Sequence, residues 1–288
     1  MEGKEKWVLV TGSSTGLGRA CTEYLSSNGF HVYAGARKEK DLADLNALDN
    51  VTAVKLDVTK DDDVEAVSSQ IEASGTGLFG LVNNAGIALG GPLVDVTPEE
   101  MQQQFDVNFF GVHRVTRAMF PLIFKEKGRI IMMSSIAGRI ANVITGPYCA
   151  SKFGLEGYSD TLRRELLPYG VKVVIIEPGN YQTVIWDKGL EALERIDKRE
   201  HAIEELATLL KEFGPESFKN SKRTGKDPLE VAEIIYQALT IEKPKLRYLA
   251  NFSYWQMRLL RLMGEKFLDK AIMKEYKRLI AKMKSGNS

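Results

Sequence analysis

The chain has 288 residues, 44 % of them hydrophobic, with 39 Lys and Arg against 38 Asp and Glu. A formal charge of +1 excludes a global field for nucleic acid, and two distant cysteines, Cys21 and Cys149, exclude a zinc ligand set or disulfide framework and point to a reducing compartment. The three histidines have no metal-ligand spacing, no run reaches the ~18 apolar residues of a spanning helix, and the first apolar run is too short for a signal peptide; the expected location is the cytoplasm, with peripheral membrane association as the one extension.

Residues 7–10 read as a buried strand, and residues 16–28 as a helix with Leu17, Ala20, Cys21, Tyr24 and Leu25 on one face. Strands follow at 31–34, 51–56 and 78–82, then a helical stretch at 98–124 in two pieces, a strand at 129–133, a helix at 148–167 and a strand at 171–176. Asp227 as N-cap, Pro228 at N1 and Glu230 at N3 open a further helix, followed by a short strand at 246–249. This alternation predicts a single α/β Rossmann-type domain over residues 1–250: a doubly wound parallel sheet of about seven strands with helices on both faces. Residues 184–226, a long charged insertion, and residues 251–288, a basic C-terminal segment, stand outside the pattern.

Between the first strand and the first helix lies Thr11-Gly12-Ser13-Ser14-Thr15-Gly16-Leu17-Gly18. The first glycine permits a tight turn, the later two let backbone and helix approach a bound diphosphate, and the helix N-terminus offers free N–H groups to the anion. The second strand ends in Ala34-Gly35-Ala36-Arg37-Lys38, without the acid that NAD sites place on the ribose 2′-hydroxyl. Arg37 can fork onto a 2′-phosphate instead, so NADP(H) is expected ahead of NAD(H). Further on, Tyr148 and Lys152 are four residues apart on one helix face. An ammonium beside a phenol favours the phenolate and lowers its pKa, which suits the pair to general acid–base chemistry.

In combination these residues resemble the short-chain dehydrogenase/reductase family, over about residues 6–250. The resemblance is carried by TGSSTGLG at 11–18, Asp57-Val58, Asn83-Asn84-Ala85-Gly86, Asn108, Ser134-Ser135, Tyr148-x-x-x-Lys152, and Pro178-Gly179 with Thr183. It implies that Asp57 and Val58 contact an adenine, that Asn84, Ala85 and Gly86 flank the cofactor, and that Pro178, Gly179 and Thr183 line the nicotinamide. Ser135, thirteen residues before Tyr148, is then the catalytic serine rather than Ser134. Ser135 and Tyr148 donate to a carbonyl oxygen, Tyr148 transfers the proton, Lys152 tunes it and holds the ribose, and Asn108 anchors a water linking Lys152 to solvent. Pairing through helices near 100–125 and 150–167 into a homodimer or homotetramer is also implied.

The resemblance is greatest to hydroxysteroid and retinol dehydrogenases, which implies an apolar alcohol and its ketone or aldehyde as the substrate pair. The apolar wall is expected from Ile136, Ile140, Val143 and Ile144, and a lid over 184–226 from Val184, Ile185, Trp186, Leu190 and Leu193, with Ile144 and Trp186 as candidate substrate contacts. Reduction of a carrier-bound 3-oxoacyl group or another small carbonyl is the alternative reaction, and a non-catalytic NADP-binding regulator the alternative class. Residues 243–288 carry twelve Lys/Arg against three Asp/Glu, a net +9, leaving −8 over residues 1–242. Trp255, Leu259, Leu260, Met263, Phe267, Ala271, Ile272, Tyr276, Leu279 and Met283 recur there at helical spacing. A helix pair packed over the substrate pocket is the expectation, with docking on an anionic membrane surface as the other use of such a segment.

Overall fold

A computed structural model of the chain describes residues 5–198 and 201–262, and beyond them 264, 266, 267, 269–274, 277 and 278. Its centre is a seven-stranded sheet made of β1 (Lys6–Val10), β2 (Phe30–Ala36), β3 (Val51–Lys55), β4 (Gly80–Asn83), β5 (Arg129–Met133), β6 (Lys172–Pro178) and β7 (Arg247–Ala250). The strand order is β3-β2-β1-β4-β5-β6-β7, and every neighbouring pair is parallel. Strands covered on both faces need apolar residues at successive positions, and all five residues of β5 are buried.

Side chains alternate between two cores. Val8, Val10, Val32, Val82, Ile131 and Ile176 face α1 (Gly16–Ser27) and α9 (Leu229–Thr240). Leu9, Tyr33, Leu81, Ile130, Met132 and Ile175 face α3 (Asp61–Ser74), α5 (Gly111–Lys125) and α6 (Gly146–Leu166). Strand order reverses between β1 and β4, so their carboxyl ends open a crevice.

Two helices go beyond the sequence expectation: α2 (Glu39–Asn46) and α3. Leu45 is the one buried side chain of α2, and α3 buries only Val64, Val67 and Ile71, so the apolar signal is thin. Its ends were marked all the same, by Asp61, Asp62 and Asp63 in the first turn and by Gly75 at φ +69° after the last. The expected two pieces at 98–124 are α4 (Pro98–Phe105) and α5, joined without a break by a π-helical turn, Asp106–Phe110. A capping box of Thr97 and Glu100 starts α4. The helix expected from an Asp227 cap begins one residue later, at Leu229, with Pro228 as the cap residue and Asp227 Oδ1 accepting the Leu229 N–H at 2.8 Å.

The charged insertion folds into α7 (Ile185–Asp197) and α8 (Glu204–Arg223), joined by Leu193, Ile196, Leu210 and Phe218, with Ile144 packed beneath them. Beyond β7 comes α10 (Tyr254–Leu262). The expectation that this segment packs its apolar stripe over the pocket is not met in α10: Met257 is buried, while Trp255 and Leu262 are 77 % and 75 % exposed. The side chain of Leu260, and Met263, Tyr276, Leu279 and Met283, lie outside the described residues. Among the described residues, no helix is long and apolar enough to cross a membrane.

Candidate active site

The crevice at the ends of β1 and β4 is a cleft enclosing about 1310 Å³, counting its open mouth. Ser14, Thr15, Gly16, Leu17 and Gly18 line one end. Gly12 and Gly16 have φ of +69° and +59°, in the left-handed region that favours glycine. A Cβ on Gly18 would stand 2.2 Å from the Gly12 oxygen. The turn is held from the next strand: Asn84 Nδ2 donates to the Thr11 and Gly12 carbonyls at 2.9 and 3.2 Å, and Thr11 Oγ1 accepts the Asn84 and Ala85 N–H groups. Thr15, the cap residue of α1, makes no side-chain cap bond, leaving its first N–H groups to face the cleft. A glycine-rich turn ending in uncapped N–H donors fits the diphosphate of a dinucleotide. Ser13 departs from expectation: its hydroxyl donates to the Val10 carbonyl at 2.8 Å and turns into the fold, away from the cleft.

At the next strand ends, Arg37, Leu56, Asp57 and Val58 line the cleft. Arg37 Nη1 lies 3.8 Å from Asp57 Oδ2. Burial alone would raise the Asp57 carboxyl, but the Thr59 amide and hydroxyl and the Arg37 guanidinium together hold it below its ordinary value. Arg37 itself projects into solvent, where its fork is free to take a second anion.

The other end collects Ser135, Tyr148, Lys152, Pro178, Gly179, Thr183 and Trp186. Ser135 follows β5 at the cap of a short 3₁₀ turn, Ile136–Gly138. Its hydroxyl donates to the Pro178 carbonyl at 3.3 Å, accepts the Ala137 N–H at 3.1 Å and meets the Tyr148 hydroxyl. Tyr148 stands in the first turn of α6, with Lys152 one turn further, its Nζ 5.6 Å from the Tyr148 ring centre and donating to the Met133 carbonyl at 2.7 Å. Burial pushes the Tyr148 phenol up to about 12, the Ser135 hydrogen bond opposing only in part. Burial likewise pushes the Lys152 ammonium down to about 8, with Glu156 opposing. The expected lowering of the phenol by Lys152 is therefore outweighed: desolvation acts on both groups and the ammonium is turned to a carbonyl.

Asn108 is fully buried in the π-helical turn. Its Oδ1 accepts the Ile87 N–H at 2.9 Å, and its Nδ2 donates to the Ile87 carbonyl and to Ser151 Oγ at 3.0 and 3.2 Å. Ser151 in turn donates to the Tyr148 carbonyl. The amide thus ties the π turn to the first turn of α6 and does not face the cleft. Ile144 is also placed elsewhere: it is buried under α7 and α8, at φ +68°, with Val143 packed against the same cluster. Trp186 does reach the cleft, its Nε1 donating to the Tyr181 carbonyl and its ring edge-on to Phe218.

Two polar cleft residues, Tyr181 and Lys188, were not singled out from the sequence, and Ser134, set aside there in favour of Ser135, lines the cleft as well. Ser134 is buried beside Ser135, its hydroxyl without a hydrogen-bond partner among the described residues. Tyr181 lines the cleft while its hydroxyl donates to Glu230. Lys188 enters from α7, within the charged insertion; only its helical offset from Val184 and Ile185 signals the cleft.

The family model for short chain dehydrogenases matches residues 6–193. The mitochondrial D-beta-hydroxybutyrate dehydrogenase of Bos taurus is 36 % identical, over 88 % of this chain and 79 % of its own length. Retinol dehydrogenase 16 of Mus musculus is 34 % identical, over 90 % of this chain and 84 % of its own. Among solved structures, a short-chain dehydrogenase from Streptomyces avermitilis superposes with a TM-score of 0.76 at 28 % identity, covering 97 % of this chain and 98 % of that one.

Proposed function

Because the chain belongs to the short-chain dehydrogenase family, whose members are oxidoreductases acting on CH–OH groups, we propose that it is an NADP-preferring enzyme interconverting an apolar alcohol and its carbonyl. The observation that carries this is the meeting of the Ser135 and Tyr148 hydroxyls, with Lys152 one turn away, in the cleft whose far end is the glycine turn.

A nicotinamide dinucleotide supplies or accepts the hydride when bound. Gly12, Ser14, Thr15, Gly16, Leu17 and Gly18 would hold its diphosphate, Asp57 and Val58 its adenine, and Asn84, Ala85, Gly86, Pro178, Gly179 and Thr183 the rest. Ser135 and Tyr148 donate to the substrate oxygen where charge develops in reduction. Tyr148 passes its proton to that oxygen, and takes one back in oxidation. Lys152 lies between Tyr148 and the Met133 carbonyl, so an approaching ribose hydroxyl meets an ammonium already oriented. Asn108 acts as a positioning residue, through Ser151.

Arg37 supports the NADP preference, with no carboxylate at the end of β2 to repel a 2′-phosphate. Arg37→Ala is expected to weaken NADP(H) binding by about 10- to 100-fold, the worth of a charge-assisted pair, with NAD(H) little changed; equal losses for both would refute this assignment. Val184, Ile185, Trp186 and Ile87 give the substrate end an apolar wall, and residues 184–226 are read as its lid. The two named relatives act on a small hydroxy acid and on retinol. A panel of apolar alcohols and ketones, with 3-hydroxybutyrate as the polar competitor and both cofactors, tests the substrate class. Preference for 3-hydroxybutyrate would overturn the apolar reading.

The family is commonly oligomeric; Phe110, Phe124 and Phe153, exposed on the π turn, α5 and α6, are the surface proposed for pairing two copies. Exposure of Trp255, Leu259 and Leu262 favours peripheral membrane contact as the use of the basic segment 251–288. These three form one stripe of α10, with Arg258 beside Trp255. A Trp255→Glu, Leu262→Glu variant should lose co-sedimentation with vesicles containing phosphatidylserine, while keeping its turnover. Equal sedimentation of the variant and the parent would remove the membrane reading.

A further inference from the structure

Behind the Ser135–Lys152 end of the cleft, charged side chains from four segments converge. Arg139, just past the 3₁₀ turn that follows Ser135, places Nε 3.2 Å from Glu177 Oε1 and Nη1 3.8 Å from Glu156 Oε2. Arg247 on β7 reaches the same two carboxylates, with Nε 3.1 Å from Glu177 Oε1 and Nη2 3.1 Å from Glu156 Oε2, and also Asp160 Oδ1 at 2.8 Å. Arg163 stands 3.4 Å from Asp160. Glu156 and Glu177 are 7 % and 1 % exposed.

Burying two carboxylates is costly, and packed apolar residues would join these segments at least as well. Stability alone therefore does not account for the cluster. What distinguishes it is where each member attaches. Glu156 is one helical turn beyond Lys152 on the same face of α6. Glu177 directly precedes Pro178, whose carbonyl accepts the Ser135 hydroxyl. Arg139 closes the turn that Ser135 begins. The cluster thus grips the three segments that carry Ser135, Lys152 and the Pro178 carbonyl.

We propose that Arg247 and Arg139 are positioning residues for the Ser135–Tyr148–Lys152 set, holding its three segments in register and setting the negative field that Glu156 exerts on the Lys152 ammonium. Lys152 is faced by Tyr148 and Glu156 from its own helix and by the Met133 carbonyl from β5. Glu156 is faced by Arg139 from the turn after β5, by Arg247 from β7 and by Lys152 along α6, with Glu177 of β6 sharing both arginines. Burial favours loss of the Arg247 charge, but Glu156 and Asp160 outweigh it and hold the guanidinium above its ordinary pKa, so it stays a cation throughout the working range.

The proposal rests on the reading that a charged Lys152 assists Tyr148, and two opposed variants test it. Glu156→Gln removes the anion beside Lys152 and should move the alkaline limb of the kcat/KM profile down by about one pH unit. Arg247→Met unmasks that anion and should move the limb up by about the same amount. Limbs that stay in place, or move together, while activity falls would make the cluster merely structural and overturn the proposal. If Arg247→Met does not fold, Glu156→Gln decides alone: a lowered limb supports the proposal and an unmoved one overturns it. A second readout needs no turnover: in the cofactor-free chain, the pH window in which unfolding stability changes should shift in the same directions, provided Lys152 is present. Should Lys152→Met keep full activity, the catalytic reading fails, and the cofactor-free shifts still report whether the cluster sets the Lys152 charge.

Discussion

Replacing Tyr148 by phenylalanine is expected to lower turnover by about 10³-fold, within the range that one positioned acid–base group supplies. The ring would stay in the first turn of α6, so cofactor affinity should change little. The loss falls on kcat because the missing hydroxyl acts on the reacting oxygen. Single-turnover hydride transfer alongside cofactor titration separates the two. Unchanged turnover would remove Tyr148 from the reaction, and a loss confined to cofactor binding would reduce it to a binding group. Ser135→Ala should be milder, since one of two donors to the oxygen remains.

Lys152→Met is expected to disable the enzyme and at the same time stabilise the fold. Burial holds the Lys152 ammonium at about 8, against an ordinary 10.5. Between those values the unfolded chain binds the proton more tightly than the folded one, so native stability rises with pH across that window. Below about pH 8 the penalty is fully present, on the order of 3 kcal/mol at neutral pH. Loss of the bond from Nζ to the Met133 carbonyl returns about 1 kcal/mol or more of that. Cofactor-free Lys152→Met should thus be more stable than the parent by about 1–2 kcal/mol at pH 7, converging on it toward pH 10. Denaturant unfolding at the two pH values measures this; a variant less stable at pH 7, with the parent's pH slope, would refute it. On the expected outcome, Lys152 is a case of stability given up for function.

The sheet was legible because strands covered on both faces write themselves as unbroken apolar runs, as in Val8-Leu9-Val10 and Ile130-Ile131-Met132. The glycine turn was legible because its conformations leave little choice of residue. α2 and α3 escaped because their buried stripes are single residues spaced among charges, too sparse for periodicity to register. Ile144 and Ser13 were misplaced for another reason: composition tells that a loop residue is apolar or hydroxylic, but its direction depends on a backbone turn. The charge state of Tyr148 escaped for a third reason. Spacing in sequence brings an ammonium near, whereas the balance of desolvation against attraction is a property of the packed site. The stripe on α10 was visible in sequence, but not which side of it meets the protein.

The π-helical turn at Asp106–Phe110 fits five residues where an ordinary helix would fit about four. Gln104 before it and Asn108 within it reach the Ile87–Leu89 loop, and residues after it, Val112, Val115 and Met119, enter the core below the sheet. Removing one residue there would restore regular winding and turn everything downstream by roughly 100°. Val115 and Met119 would swing toward water, or Asn108 would leave Ser151. This segment therefore tolerates exchange of its letters far better than a change in their number, and relatives of this chain that keep its catalytic geometry should preserve its length even where they share none of its residues.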